Sequence, residues 1–137
     1  MASTTRLLFV NLPVRDLEKS MAFFSRLGFE FNPKFTDENA ACMVISDKAF
    51  AMLLVEPFFK TFIKKEISDA GKSTEALFAL SCDSREEVEE FYNKAIAAGG
   101  TQAKEAQDHG FMYTRSFYDL DSHHWEVLWM DPKVANG

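Results

Sequence analysis

The chain has few of the residues that build disulfide frameworks or metal knuckles. Among its 137 residues are two cysteines, Cys42 and Cys82, and three histidines. Each cysteine lies in an apolar run and no C-x-x-C spacing occurs, so the pattern disfavours both a disulfide framework and a zinc knuckle. A free thiol in such a run behaves as a small apolar side chain, which fits a reducing compartment.

The chain also lacks an excess of basic residues and a long apolar run. It has 15 Lys and Arg against 21 Asp and Glu, a net charge of -6. Nucleic acids and anionic membranes attract basic surfaces, so we expect neither as the main partner. No apolar run approaches a membrane span, and the stretch at residues 7–10 is too short for a signal sequence. These absences predict a cytoplasmic protein.

What the chain does contain is an internal duplication. Residues 12–24 and 80–92 align without a gap at an offset of 68 residues. In each copy the end of a strand is followed by a helix that carries an aromatic pair, Phe23 and Phe24 in the first copy. With 47% hydrophobic residues and 14 Phe, such a chain can bury a substantial core.

Periodicity and turn residues give the same element order twice, strand, helix and three strands, which is an α+β pattern. A further helix is predicted between the two copies, at residues 56–68. The predicted strands are 6–14, 29–35, 40–45 and 49–55 in the first copy and 76–82, 101–106, 110–118 and 125–130 in the second, and the predicted helices are 16–27 and 84–98.

Two motifs allow a family resemblance to be stated. The sequence VRDLEKSMAFF opens the first copy, and D-x-D-x-H-x-x-E at residues 119–126 closes the second. This arrangement resembles the vicinal oxygen chelate superfamily, which includes glyoxalase I, bleomycin-resistance proteins and extradiol dioxygenases. The resemblance implies tandem βαβββ modules whose paired curved mixed sheets surround a cup. It also implies a homodimer.

The same resemblance implies a single domain over residues 1–137. Module one is expected at residues 5–56 and module two at 75–131, with a connecting Phe-rich segment at 57–74. Its apolar stripe at residues 58–67 favours either a lid over the cup or an amphipathic helix packed on a sheet or at a dimer contact.

Metal-using members of the superfamily take four ligands from the first and last strands of each module. The resemblance places these ligands at Phe9, at Leu53 or Leu54, at Leu77 and at Glu126. Only Glu126 offers a lone pair, and one carboxylate does not hold a divalent ion. We therefore expect no metal.

A rebuilt metal site is the alternative. It would use His124 and Glu126, which lie two residues apart on a strand, together with Glu56, and it would hold Zn, Ni, Fe or Mn.

Without a metal, the cup is expected to bind a small molecule. Glu126 is the candidate catalytic residue, as a general base, or the group that receives a cationic ligand; pairing with Arg115 is the competing interpretation. The apolar residues could instead fill the cup. The candidate ligand-binding residues are Phe9, Asn11, Leu54, Glu56, Leu77, Tyr113, Arg115 and Trp125.

Three functions follow from these expectations. The first is a metal-free protein similar to the bleomycin-resistance branch that binds a small molecule, either cationic or neutral. The second is a metal-dependent lyase or dioxygenase resembling lactoylglutathione lyase, with a site rebuilt around Glu126. The third is a non-catalytic dimeric interaction module, because fold alone does not fix function.

Overall fold

The computed structural model describes residues 2–135 and divides the chain into two compact units. The first unit ends at Ser68 and the second begins at Asp69. This boundary falls within the connecting segment predicted at residues 57–74. Each unit repeats the predicted order of one strand, one helix and three strands.

The first unit contains a four-stranded mixed sheet. Its strand order is β1-β4-β3-β2, with β1 parallel to β4 and the other neighbours antiparallel. The elements of this unit are β1 (Leu8–Val14), α1 (Leu17–Arg26), β2 (Glu30–Asn32), β3 (Ala40–Val44), β4 (Ala49–Val55) and the short helix α2 (Glu56–Lys60).

The second unit has the same topology, with the strand order β5-β8-β7-β6 and β5 parallel to β8. The duplication seen in the sequence is therefore a duplication of structure. The elements of this unit are β5 (Leu77–Ser81), α3 (Arg85–Ala97), β6 (Thr101–Asp108), β7 (Met112–Tyr118), β8 (His124–Met130) and a last turn of helix, α4 (Pro132–Ala135).

Side-chain caps begin the two longer helices. The carboxylate of Asp16 accepts a hydrogen bond from the backbone N–H of Lys19 at the start of α1. At the start of α3, Ser84 Oγ accepts from the backbone N–H of Glu87, whose carboxylate accepts in turn from the backbone N–H of Asp83. These contacts satisfy amide groups that have no partner inside a helix.

The predicted strand at residues 29–35 is wrong in its second half. The strand β2 ends at Asn32, and a 3-10 turn covers Pro33–Phe35. Pro33 has no N–H for a strand ladder, and Asn32 Oδ1 accepts from the backbone N–H of Lys34, which closes the turn. The remaining predicted strands and the two longer helices match the observed bounds within two residues.

The predicted helix at residues 56–68 is also wrong, because α2 ends at Lys60. Thr61 Oγ1 donates to the carbonyl of Phe58, and the following amides make three-residue turns in place of helical bonds. Phe62 remains exposed. Across residues 2–135, no helix is both long enough and apolar enough to cross a membrane.

Candidate functional site

The two faces of the second sheet have different surroundings. Tyr113 and Arg115 of β7 contact α3, so they define the helix face of this sheet. Because side chains alternate along a strand, the opposite face carries Glu126 of β8 with Ser116 directly across on β7 and Ala79 across on β5. We call this opposite side the open face.

Glu126 is the only carboxylate that β8 contributes to the open face, and it is half-buried. Within residues 2–135 it has no hydrogen bond and no ion pair. The hydroxyl-bearing residues Ser116 and Thr114 are buried beside it on β7. Two residues before Glu126 on β8, the ring of His124 contacts the ring of Tyr118 edge to face, with 5.4 Å between centroids. This carboxylate therefore lies beside hydroxyl and aromatic groups and makes no ion pair with any residue that the structure describes.

The competing interpretation, an ion pair between Arg115 and Glu126, is wrong. Arg115 pairs with Val127 in the sheet register, so its side chain leaves the face opposite to that of Glu126. Its guanidinium donates to both carboxylate oxygens of Glu89 on α3, at 2.8 and 3.0 Å, and lies 3.7 Å above the ring of Tyr92. The sequence did not indicate this partner, because Glu89 lies 26 residues before Arg115 in the chain.

Tyr113 belongs to the same cluster on the helix face, since its hydroxyl donates to Glu89. This hydrogen bond, together with Arg115, holds the pKa of Glu89 below its usual range. The bond to the Glu89 carboxylate also raises the pKa of Tyr113. Tyr113 and Arg115 thus join α3 to the sheet, on the face that Glu126 does not share.

Trp125 is on the helix face as well and is 1% exposed. Its indole Nε1 donates to Asp119 Oδ2 at 2.9 Å. Asp119 is buried in the loop before β8, and burial raises the pKa of its carboxyl group, opposed by the nearby His123. Asp119 was not predicted as a site residue, although it opens the D-x-D-x-H-x-x-E motif.

The predicted site residues of the first unit differ in their exposure. Phe9 and Asn11 of β1 and Leu54 of β4 share one face of their sheet. Phe9 is half exposed and stacks on Phe50 with 5.0 Å between ring centroids, whereas Leu54 is buried. Asn11 is exposed, and Glu56 begins α2.

The sheet registers define which positions of the two units are equivalent. Phe9 of β1 is equivalent to Leu77 of β5 at the offset of 68 residues, and both are half exposed. At the same offset, Asn11 of β1 is equivalent to Ala79 of β5. Asn11 pairs with Met52 and Ala79 pairs with Glu126, so Met52 is the counterpart of Glu126. The sequence alignment, which placed this counterpart at Leu53 or Leu54, is wrong by one or two residues.

Comparison with known proteins agrees with this duplicated fold. A model of a bleomycin resistance protein-like N-terminal family matches residues 6–46. No curated protein matches the chain. Among solved structures, a hypothetical protein from S. aureus is 28% identical, with 93% of this chain and 95% of that chain covered and a TM-score of 0.77.

Two further similar structures have names that state a family or a function. A glyoxalase/bleomycin resistance protein/dioxygenase family enzyme from Burkholderia phytofirmans is 18% identical, with coverage of 92% and 99% and a TM-score of 0.76. The fosfomycin resistance protein FosX from Listeria monocytogenes is 20% identical, with coverage of 97% and 98% and a TM-score of 0.68. This chain has the vicinal oxygen chelate fold. The resemblance stated from the sequence is thereby confirmed.

The vicinal oxygen chelate superfamily implies a divalent metal, and the residues of this chain do not fit one. At the four equivalent positions stand Phe9, Met52, Leu77 and Glu126. Phe and Leu have no donor atom, and the Met thioether is a soft ligand that suits neither Mn nor Mg. One carboxylate is left where three or four ligands are needed.

The residues of the alternative set are divided between the two units. His124 and Glu126 lie on the same face of β8, and Glu56 begins α2 of the first unit. In the part of the chain that the structure describes, no three His, Cys, Asp or Glu side chains are close enough to hold a metal ion. The vicinal oxygen chelate fold is present here, and of the four equivalent positions only Glu126 carries a hard donor atom.

Proposed function

We propose that this protein binds a small molecule on the open face of its second sheet, and that binding does not use the divalent metal of its metal-using relatives. The observation that supports this most is the state of Glu126. It is the one residue with a hard donor atom among the four equivalent positions, and within residues 2–135 it has no partner. An unpaired, half-buried carboxylate is free to bind a ligand.

The chemistry of the open face indicates which ligands it would take. A carboxylate accepts hydrogen bonds and attracts positive charge, so an ammonium or amidinium group is the natural partner of Glu126. Such a charged hydrogen bond contributes about 1.5–3 kcal/mol. Leu77 and Leu128 share this face and would contact an apolar part of the ligand. We therefore propose a small organic cation with an apolar body.

Benzylammonium has both features and serves as the probe. Its affinity is measured by NMR titration and compared with that of neutral benzyl alcohol and anionic benzoate. For Glu126→Gln we expect the affinity for benzylammonium to fall at least about tenfold, which corresponds to about 1.4 kcal/mol. Affinity for benzyl alcohol should be unchanged. The matched control is Glu105→Gln, which removes an exposed carboxylate from β6.

Equal affinity of the wild type and Glu126→Gln for benzylammonium would contradict the proposed role of Glu126. Elemental analysis of protein purified without a chelating tag tests the metal separately. Stoichiometric Ni, Zn, Fe or Mn would overturn the metal-free proposal and favour the lyase or dioxygenase function in its place. We further propose a cytoplasmic homodimer, which fractionation and analytical ultracentrifugation test directly.

A further inference from the structure

The loop that leads into β8 is built around one buried carboxylate. Asp119 is 7% exposed. Its Oδ1 accepts from the backbone N–H of Asp121 at 2.9 Å and from that of His123 at 3.0 Å. Its Oδ2 accepts from Trp125 Nε1 at 2.9 Å. Both oxygens of a single side chain are therefore used to hold the loop and the strand that follows it.

The backbone of this loop is closed around the same residue. The N–H of Asp119 donates to the carbonyl of His123 at 3.0 Å, and the N–H of Ser122 donates to the carbonyl of Asp119 at 3.1 Å. Ser122 has a φ of 68°, in the left-handed region that non-glycine residues rarely adopt. Such a conformation persists only where surrounding contacts hold it, and here the Asp119 carboxylate accepts from the N–H groups of the residues on either side, Asp121 and His123.

The contact with Trp125 links this loop to the register of the strand. Trp125 is fully buried beside Phe78, with 5.2 Å between the ring centroids, and its N–H needs an acceptor there. A shift of β8 by one residue would remove Trp125 from Asp119. The same shift would move every side chain of β8 to the opposite face of the sheet. Glu126 would then leave the open face.

We propose that Asp119 is a positioning residue that fixes the register of β8 and thereby keeps Glu126 on the open face, opposite Ser116. The expected effect of Asp119 on ligand binding rests on the proposed function, whereas its effect on the register of β8 does not depend on that function. Apparent affinity falls in proportion to the fraction of molecules whose Glu126 is in place, so a loss of register is measurable as a loss of binding.

Asp119→Asn is the informative variant. The amide oxygen can still accept from the two backbone N–H groups. The amide nitrogen then faces Trp125 Nε1, and because both groups are donors they cannot form a hydrogen bond. Trp125→Phe removes the second donor, so the double variant lacks the conflict. The matched control is Asp37→Asn in the first unit, where the carboxylate also closes a turn by accepting from the backbone N–H groups of Asn39 and Ala40 at 2.8 and 3.1 Å.

Two readouts separate register from ligand binding. The first is the backbone contact between Ser116 and Glu126 across β7 and β8, observed by NMR together with the amide exchange of β8. The second is the affinity for benzylammonium. In Asp119→Asn we expect the contact to weaken, the amides of β8 to exchange faster and the affinity to fall at least about tenfold. The double variant should recover part of the cross-strand contact, of the protection from exchange and of the affinity, and Asp37→Asn should change none of these three.

An unchanged cross-strand contact and unchanged exchange in Asp119→Asn would overturn the positioning role. If Asp119→Asn does not fold, the double variant decides: a double variant no more stable than Asp119→Asn would also overturn it. If the wild type does not bind benzylammonium while Asp119→Asn still loses the cross-strand contact, the proposed function fails and the positioning role stands.

Discussion

The cluster on the helix face of the second sheet allows a quantitative prediction for Glu89→Gln. Glu89 receives hydrogen bonds from Tyr113 and Arg115, whose side chain is only 16% exposed, whereas that of Glu89 is 38% exposed. Breaking a fully buried ion pair costs about 3–5 kcal/mol and a surface pair about 0–1 kcal/mol. With one partner buried and the other partly in water, we expect a loss of about 2 kcal/mol.

Urea denaturation measures this loss. The effect should be larger than for a surface pair because Arg115 Nε already lacks a hydrogen-bond partner among residues 2–135, and Glu89→Gln leaves the guanidinium charge uncompensated. In an Arg115→Met background, which removes that charge, the same Glu89→Gln change should cost much less. A loss under about 0.5 kcal/mol in the wild-type background, or equal losses in both backgrounds, would refute this energetic account.

The same cluster predicts a dependence of stability on pH at both ends of the range. The pKa of Glu89 is lowered, so its contribution is present above its unfolded-state pKa and is lost as pH falls through the folded pKa. The pKa of Tyr113 is raised above 10.0, so its contribution is present below that value and is lost as pH rises through the folded pKa. Glu89→Gln should lower the pKa of Tyr113, which ultraviolet absorbance of tyrosinate detects.

Two other predictions concern single residues. Burial, with smaller effects from nearby carboxylates, raises the pKa of Cys82 to about 11, and burial also raises that of Cys42. Both thiols should therefore resist Ellman's reagent in the native protein and react in urea; rapid reaction without urea would contradict this. Asp16→Ala removes the N-terminal cap of α1 and should cost about 1 kcal/mol in urea denaturation, and a neutral result would show that this cap is dispensable.

Strong local signals account for the parts of the fold that the sequence predicted well. In α1, apolar residues recur every three or four positions between a capping Asp16 and Gly28, which adopts a φ of 105° after the helix. Each signal arises within the element itself, so it can be recognised without knowledge of distant contacts. The duplicated order of elements then follows from finding the same signals twice.

The segment after β4 shows where local periodicity was not enough. Its apolar residues repeat at helical spacing, but Val55 offers no side-chain cap, and Thr61 bonds back to the carbonyl of Phe58. A short helix without a good cap needs tertiary packing to extend, and Phe62 remains exposed instead. The spacing predicted a helix that continues past Lys60, whereas the chain leaves the helix at that residue.

The candidate site depended on information that alternation along a strand does not contain. Alternation correctly predicted that Tyr113 and Arg115 share a face, but it could not say which face, because that depends on Glu89 in a distant helix. Likewise, the counterpart of Glu126 could not be found by counting, since the two units differ in length between their first and last strands. The pairing of Asn11 with Met52 identifies it.

The equivalent rows of the two sheets show how the duplicated units have diverged. Across the first sheet the row reads Asn11, Met52 and Cys42, and across the second it reads Ala79, Glu126 and Ser116. Where one unit has a thioether beside a thiol, the other has a carboxylate beside a hydroxyl. Sulfur groups of this kind pack as apolar side chains, whereas the carboxylate and hydroxyl bind polar groups. Both units retain the same backbone register, but the polar member of the first row, Asn11, is uncharged, so we expect recognition of a charged ligand group only from the row of the second unit.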